Sequence, residues 1–156
     1  MPAGYLGTKR MGEIAEIAFM YRAAIEGIGV ARPYGDSHPY DFLVQHGRKL
    51  FRVQVKSCFT PYRTGFPISV SRNIGEDKRL LYSQQDVDFI AAYVAPHQAW
   101  YLIPIESVTK TKCIRLYPGR KNRRAAAFYE TYREAWHLLK EQENTEIPRN
   151  QDNGEN

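Results

Sequence analysis

The stretch Tyr40-Asp41-Phe42-Leu43-Val44-Gln45-His46-Gly47-Arg48-Lys49-Leu50-Phe51-Arg52-Val53-Gln54-Val55-Lys56-Ser57 decides how the chain is read. Tyr40 to Gln45 and Leu50 to Cys58 have the composition and alternation of two strands. Between them, Gly47-Arg48 puts glycine at the first central position of a two-residue type II′ turn, which fixes the register. Gln45 then faces Leu50, Leu43 faces Arg52 and Asp41 faces Gln54. Phe51, Val53 and Val55 point to one side and can form a core. Gln54 and Lys56 point to the other, with Asp41 opposite Gln54 and diagonal to Lys56, within reach of a long side chain. A carboxylate, an amide and an ammonium therefore converge on one face of a hairpin.

Upstream, a helix capped by Thr8 is predicted to run to about Ile28, with Ile14, Ile17, Ala18, Tyr21, Ala24, Ile25 and Ile28 on its apolar face. Glu16 lies off that stripe, next to Glu13 on the helical wheel and beside Gly12, Ala23 and Gly27, small residues that would let another element approach. Val30 to Tyr34 reads as a short extended piece, and Gly35 to Pro39 as a turn. Downstream, Phe66 to Val70 is expected to join the hairpin as a third partner, followed by a polar loop from Ser71 to about Gln85. Asp88 to Val94 and Trp100 to Ile105 are strands, split by Ala95-Pro96-His97-Gln98, and Lys112 to Leu116 is a last short one. Arg123 to about Glu143 reads as a closing helix with Phe128, Tyr132, Ala135, Trp136 and Leu139 on its core face. The order predicts an α/β fold, a mixed β-sheet with an N-terminal helix packed on it and a C-terminal helix. One domain over residues 1–143 precedes an acidic, polar tail at 144–156, expected to be disordered.

With 156 residues, 43% hydrophobic and 25% charged, the chain can hold a core without disulfides or a structural metal. The apolar run from Ile14 to Val30 is broken by Glu16, Arg22 and Glu26, too polar for a membrane span or a signal peptide, so a cytoplasmic protein with no membrane partner is expected. Cys58 and Cys113 lie far apart and the four histidines lack zinc-site spacing; both cysteines read as reduced core or strand residues. The net charge of +5 conceals an asymmetry. Residues 141–156 hold five acids and one base, which leaves 21 bases against 12 acids in the rest, a surplus that suits a polyanionic partner such as nucleic acid.

The ordered set Gly12-Glu13-Ile14-Ala15-Glu16, then Tyr40-Asp41, then Arg52-Val53-Gln54-Val55-Lys56-Ser57 resembles the PD-(D/E)XK nuclease superfamily. Within it, the set is most similar to the branch of group I intron homing endonucleases, in which a QxK motif replaces (D/E)XK. Tyr82…Asp86-Val87-Asp88 and Trp100-Tyr101-Leu102-Ile103-Pro104 extend the likeness over about residues 7–118. The literal Pro-Asp pair is absent, since Pro39 precedes Tyr40. The resemblance implies a restriction-endonuclease-like core and a metal-dependent DNA endonuclease, of homing-endonuclease or junction-resolvase type, with Glu16, Asp41, Gln54 and Lys56 catalytic. It also implies Mg2+ held by Asp41, the Gln54 side-chain oxygen, the Val55 carbonyl and Glu16, a set of oxygen donors suited to a hard cation. Lys56 would hold or help deprotonate the attacking water. A catalytically inactive DNA-binding module that keeps the nuclease fold is the alternative, suggested by glutamine in the acidic place.

Two basic groups are expected along DNA: Arg63, Arg72, Lys78 and Arg79 on the polar segment after the QxK strand, and Arg120, Lys121, Arg123 and Arg124 at the start of the closing helix. Four bases at a helix N-terminus oppose its dipole, which points to an external anion. Because one small site cuts one strand, double-strand cleavage would require a homo-oligomer, at least a dimer.

Overall fold

The computed structural model describes residues 6–121 and 127–142. Helix α1 (Thr8–Ile25) is followed by strands β1 (Gly29–Ala31), β2 (Phe42–His46), β3 (Lys49–Cys58), β4 (Phe66–Ser69), β5 (Ser71–Asn73), β6 (Arg79–Leu81), β7 (Phe89–Val94), β8 (Ala99–Pro104) and β9 (Cys113–Leu116). Five strands form the main sheet in the order β1-β2-β3-β7-β8, with β3 and β7 parallel and every other pair antiparallel.

The β2–β3 hairpin takes the register that its turn predicts: Gln45 pairs with Leu50 and Leu43 with Arg52. Gly47 has φ +58°, and a Cβ there would fall 1.8 Å from the Glu141 carboxylate, so the turn needs glycine twice over. One face of the sheet, through Phe42, Val44, Val53, Val55, Ala91, Trp100 and Leu102, packs on α1. The other, through Cys58, Ile90, Ala92, Tyr101 and Ile103, is covered by a second layer containing β4 and β9. Val53 and Val55 thus lie beneath the hairpin as expected, while the Gln54 and Lys56 side is only half open.

Helix α1 departs from the predicted face. Its buried residues are Ala15, Phe19 and Ala23, while Ile17, Tyr21 and Ile25 are exposed. Small alanines let the helix sit close to the sheet, and Phe19 fills the gap against Phe42, Trp100 and Trp136, at centroid distances of 5.4, 5.5 and 5.7 Å. Gly12 and Gly27, expected to admit a neighbour, meet nothing within 4 Å. Gly7, not Thr8, is the N-cap. At the other end Gly27 (φ +72°) donates to the Ala24 carbonyl and Ile28 to that of Ala23, the double bond of a Schellman stop.

Further differences follow from long-range pairing. Strand β4 pairs with β9, not with β3, in a separate two-stranded sheet. The expected polar loop contains the β5–β6 hairpin. No closing helix forms over residues 127–142, which make only 3-10 turns at Glu130–Tyr132 and Trp136–Leu139. The cause is β8, whose outer edge captures the segment: the Glu134 N–H donates to the Trp100 carbonyl at 2.7 Å and the Trp100 N–H to Glu134 Oε1 at 2.9 Å. Glu134 takes φ +52°, which a helix interior cannot accommodate. Trp136 and Leu139 are still buried as expected. The segment ends on the β2–β3 turn, where the Arg48 N–H donates to the Glu141 carboxylate at 3.1 Å and Lys140 pairs with Glu26 at 2.8 Å. The tail expected from residue 144 lies outside the described residues. Among the described residues no helix is long and apolar enough to cross a membrane.

Candidate active site

The residues singled out around the hairpin meet where β2 begins. Asp41 stands just before β2, its N–H donating to the Val53 carbonyl at 3.0 Å. The ladder then changes hands, since the Val55 N–H donates to Asp41 Oδ2 at 2.8 Å rather than to a backbone carbonyl. That bond fixes the carboxylate at the mouth of the hairpin. Burial raises the Asp41 carboxyl above its ordinary range, against the pull of this N–H and of Lys56. Gln54 turns its Nε2 toward the Val55 carbonyl at 3.4 Å, and its side chain also helps to hold the Asp41 carboxyl down.

Lys56 lies beside them with its ammonium 5.4 Å from the centroid of the buried Tyr82 ring. Burial lowers the Lys56 ammonium, and the Asp41 charge restores only part of the loss. The same burial, with Asp41 second, pushes the Tyr82 phenol up to about 12. Glu16 approaches from α1. Its carboxyl is raised, first by burial and then by repulsion from Asp41, although Arg32 pairs with it. Glu13 pairs with Arg10 at 3.2 Å but lines the same cleft as Glu16, and its charge adds to the upward push on that carboxyl. Glu16, Asp41, Gln54, Val55 and Lys56 are therefore one neighbourhood. Among the described residues no three His, Cys, Asp or Glu side chains gather as a metal cluster. Glu16 and Asp41 are the carboxylates nearest the hairpin, with Glu13 one turn back along α1.

A second ion pair braces the hairpin from outside. Arg52 grips Asp88 with Nε and Nη2, at 3.1 and 2.9 Å, and its own N–H donates to the same carboxylate at 2.7 Å. Burial alone would raise the Asp88 carboxyl, but these bonds hold it below the usual range. The clamp joins β3 to the first turn of chain before β7, so the parallel pair cannot slip.

The predicted DNA-facing bases are scattered. Arg63 is exposed with φ +57° and stacks on Tyr62, 5.5 Å from its centroid. Lys78 and Arg79 are exposed on the β5–β6 hairpin, and the Arg79 charge reaches Lys56. Arg72 is half-buried and tied to Asp86 at 3.5 Å. Arg120 and Lys121 are exposed, Arg120 lying 5.6 Å over Tyr117. With no helix over 127–142, the dipole reason for that group does not hold there, and Arg123 and Arg124 lie outside the described residues.

Residues 6–139 match the family described as PD-(D/E)XK endonuclease. The chain belongs to that family. Among solved structures, this PD-(D/E)XK family member is similar to the bacterial homing endonuclease I-Ssp6803I, with 31% identity and a TM-score of 0.74 over 86% of this chain and 93% of the other. A looser likeness, at 13% identity and a TM-score of 0.46, is to MepB, over 74% of this chain and 94% of that one. Comparison with curated proteins gives no match. The mixed α/β fold around one packed helix is thus that of a PD-(D/E)XK endonuclease.

Arg32, which pairs with Glu16, and Tyr82, beneath Lys56, had no assigned part in the sequence reading of this site. Arg32 is one more base after a short strand, and no spacing rule points to it. Tyr82 carried a signal, a large aromatic in an otherwise polar stretch, but its partner lies 26 positions away.

Proposed function

We propose that this chain is a magnesium-dependent endodeoxyribonuclease that hydrolyses phosphodiester bonds in DNA, with Glu16, Asp41, Gln54 and Lys56 at its catalytic centre. The observation that carries the reading is that Asp41 and Lys56 lie half-buried side by side at the open end of the hairpin, a costly arrangement for a merely structural pair. The likeness to a bacterial homing endonuclease supports DNA as the substrate.

The donors suit the metal. Two crowded carboxylates whose charges repel each other, the Gln54 amide oxygen and the Val55 carbonyl are hard oxygen donors, and a divalent cation relieves the repulsion. Asp41, Glu16, Gln54 and the Val55 carbonyl would hold it. When bound, magnesium supplies positive charge for the scissile phosphate and acidifies water. Lys56 Nζ orients the attacking water and balances phosphate charge. Arg63, Lys78, Arg79, Arg120 and Lys121 track the backbone, with Arg123 and Arg124 assigned from sequence alone; Arg72, tied to Asp86, contributes least. Residues 1–143 act as one nuclease domain, and cutting both strands takes a homo-oligomer of at least two copies.

A second reading, a DNA-binding module without catalysis, draws on the absence, among the described residues, of a cluster of three metal-ligating side chains and on Arg32 already neutralising Glu16. Supercoiled plasmid separates the two. Nicking with magnesium, abolished by EDTA, by Asp41→Ala and by Lys56→Ala while both variants still shift duplex DNA, supports the enzyme. Tight DNA binding by the wild-type chain without nicking at any magnesium concentration supports the module.

A further inference from the structure

Arg32, directly after β1, reaches across to the Glu16 carboxylate and lies 5.4 Å over the Phe42 ring. Its charge acts on both acidic groups of the site, offsetting part of the upward push on Glu16 and on Asp41. Two surface clefts meet at this side chain. One, about 540 Å³, runs along α1 past Thr8, Glu13 and Met20; the other, about 400 Å³, runs past Asp36, His38 and Asp41. The partners are unequal. The Arg32 side chain is 59% exposed and the Glu16 side chain 24%, so the arginine is the member free to leave.

A guanidinium is well suited to such a place. Its planar fork matches a carboxylate and a phosphate equally well, it cannot lose its charge, and it is weakly hydrated. Without a cation, Glu16 and Asp41 repel each other at half-buried positions, and Arg32 supplies the missing positive charge. With a cation held by the same carboxylates, that charge becomes surplus at Glu16. It stands at the junction of two open clefts, where an anionic strand can take it up.

We propose that Arg32 is a displaceable counter-ion: it occupies Glu16 in the metal-free protein, competes with a divalent cation for that carboxylate, and on release binds a phosphate of the DNA strand. The proposal rests on the metal site described under the proposed function. It couples metal and DNA binding through one side chain, because each ligand favours the position of Arg32 that admits the other.

Calcium, a hard oxygen-seeking cation like magnesium, is titrated calorimetrically into the full chain and into Arg32→Ala, Arg32→Lys and Asp41→Asn. Removing a partly exposed ion pair should tighten calcium binding about two- to fivefold in Arg32→Ala, with Arg32→Lys close to wild type. Asp41→Asn should abolish binding. With calcium present, Arg32→Ala should bind duplex DNA more weakly, its slope of log K against log salt reduced by about 0.9. Without calcium, the two proteins should bind DNA alike. Equal or weaker calcium binding in Arg32→Ala overturns the counter-ion and leaves the metal site standing. Calcium binding that is absent from the wild type, or indifferent to Asp41→Asn, overturns the metal site and the counter-ion together.

Discussion

Replacing Lys56 by methionine should make the protein more stable and inactive at once. The Lys56 ammonium is held in a half-buried place where desolvation outweighs the attraction of Asp41, so the folded state binds its proton less firmly than the unfolded chain does. Its ammonium lies 5.4 Å from the Tyr82 ring centroid, and the flexible, unbranched methionine side chain can pack toward the same ring. Because desolvation of Lys56 already outweighs its attraction to Asp41, removing the charge while keeping the packing should be worth about 1 kcal/mol, within the range common for stabilising changes at active sites. For a chain of this length that corresponds to about 2–4 °C in Tm. The sign fixes the pH dependence. A lysine with a lowered folded pKa destabilises fully below that pKa, and the penalty lifts as pH rises to the unfolded value, about 10.4. The gain from Lys56→Met should therefore be largest near neutrality and shrink toward pH 10. Thermal melts across that range, beside plasmid nicking, test both halves. A variant that melts below wild type at pH 7 would refute the reasoning, because Lys56 would then be holding the fold together.

Phe19→Ala should cost about 3–5 kcal/mol in denaturant unfolding, since Phe19 is fully buried and meets three aromatic rings; a loss under 1 kcal/mol would mean that α1 does not pack as described. Asp88→Asn should destabilise at pH 7 by about 1–3 kcal/mol. Because the Asp88 carboxyl is lowered by Arg52, its stabilisation is present above the unfolded value and lost as pH falls through the folded one, so the difference from wild type should fade below about pH 4. Gln54→Glu should cut at lower magnesium concentrations than wild type, and Gln54→Leu should not cut, as read from metal titrations of nicking. A leucine variant with the wild-type magnesium profile removes Gln54 from the metal site.

The hairpin was legible because everything that determines it is local. Gly47-Arg48 sets a register, and the register sets which side chains share a face, so Asp41, Gln54 and Lys56 could be placed together from spacing alone. The face of α1 was not legible from hydrophobicity. Ile17, Tyr21 and Ile25 outweigh Ala15 and Ala23 on any apolar scale, yet close packing on a sheet selects small residues, and the isoleucines are left outside. The segment after residue 127 has helical periodicity, but the open edge of β8 offers it hydrogen bonds that no local pattern encodes. The pairing of β4 with β9 spans more than 40 positions and is invisible for the same reason. Arg32 meets Glu16 only because β1 returns alongside β2, a contact of topology.

The parallel pairing of β3 with β7 has an evolutionary consequence. A parallel connection must travel back along the sheet before it can re-enter, usually as a helix, and here residues 59–88 make that journey as short strands and turns. Arg63, Arg72, Lys78 and Arg79 all ride on this excursion, whereas Asp41, Gln54, Val55 and Lys56 are contiguous with the hairpin before it. The Arg52–Asp88 clamp closes the far end of the excursion, and the same guanidinium holds the Gln84 and Gln85 carbonyls within it. The excursion is itself divided, with Phe66, Ile68, Val70 and Tyr82 buried in the second core layer and its middle exposed. Only the exposed tip of the β5–β6 hairpin, residues 74–78, can be lengthened, shortened or exchanged without disturbing the second core layer or the Tyr82 ring against Lys56.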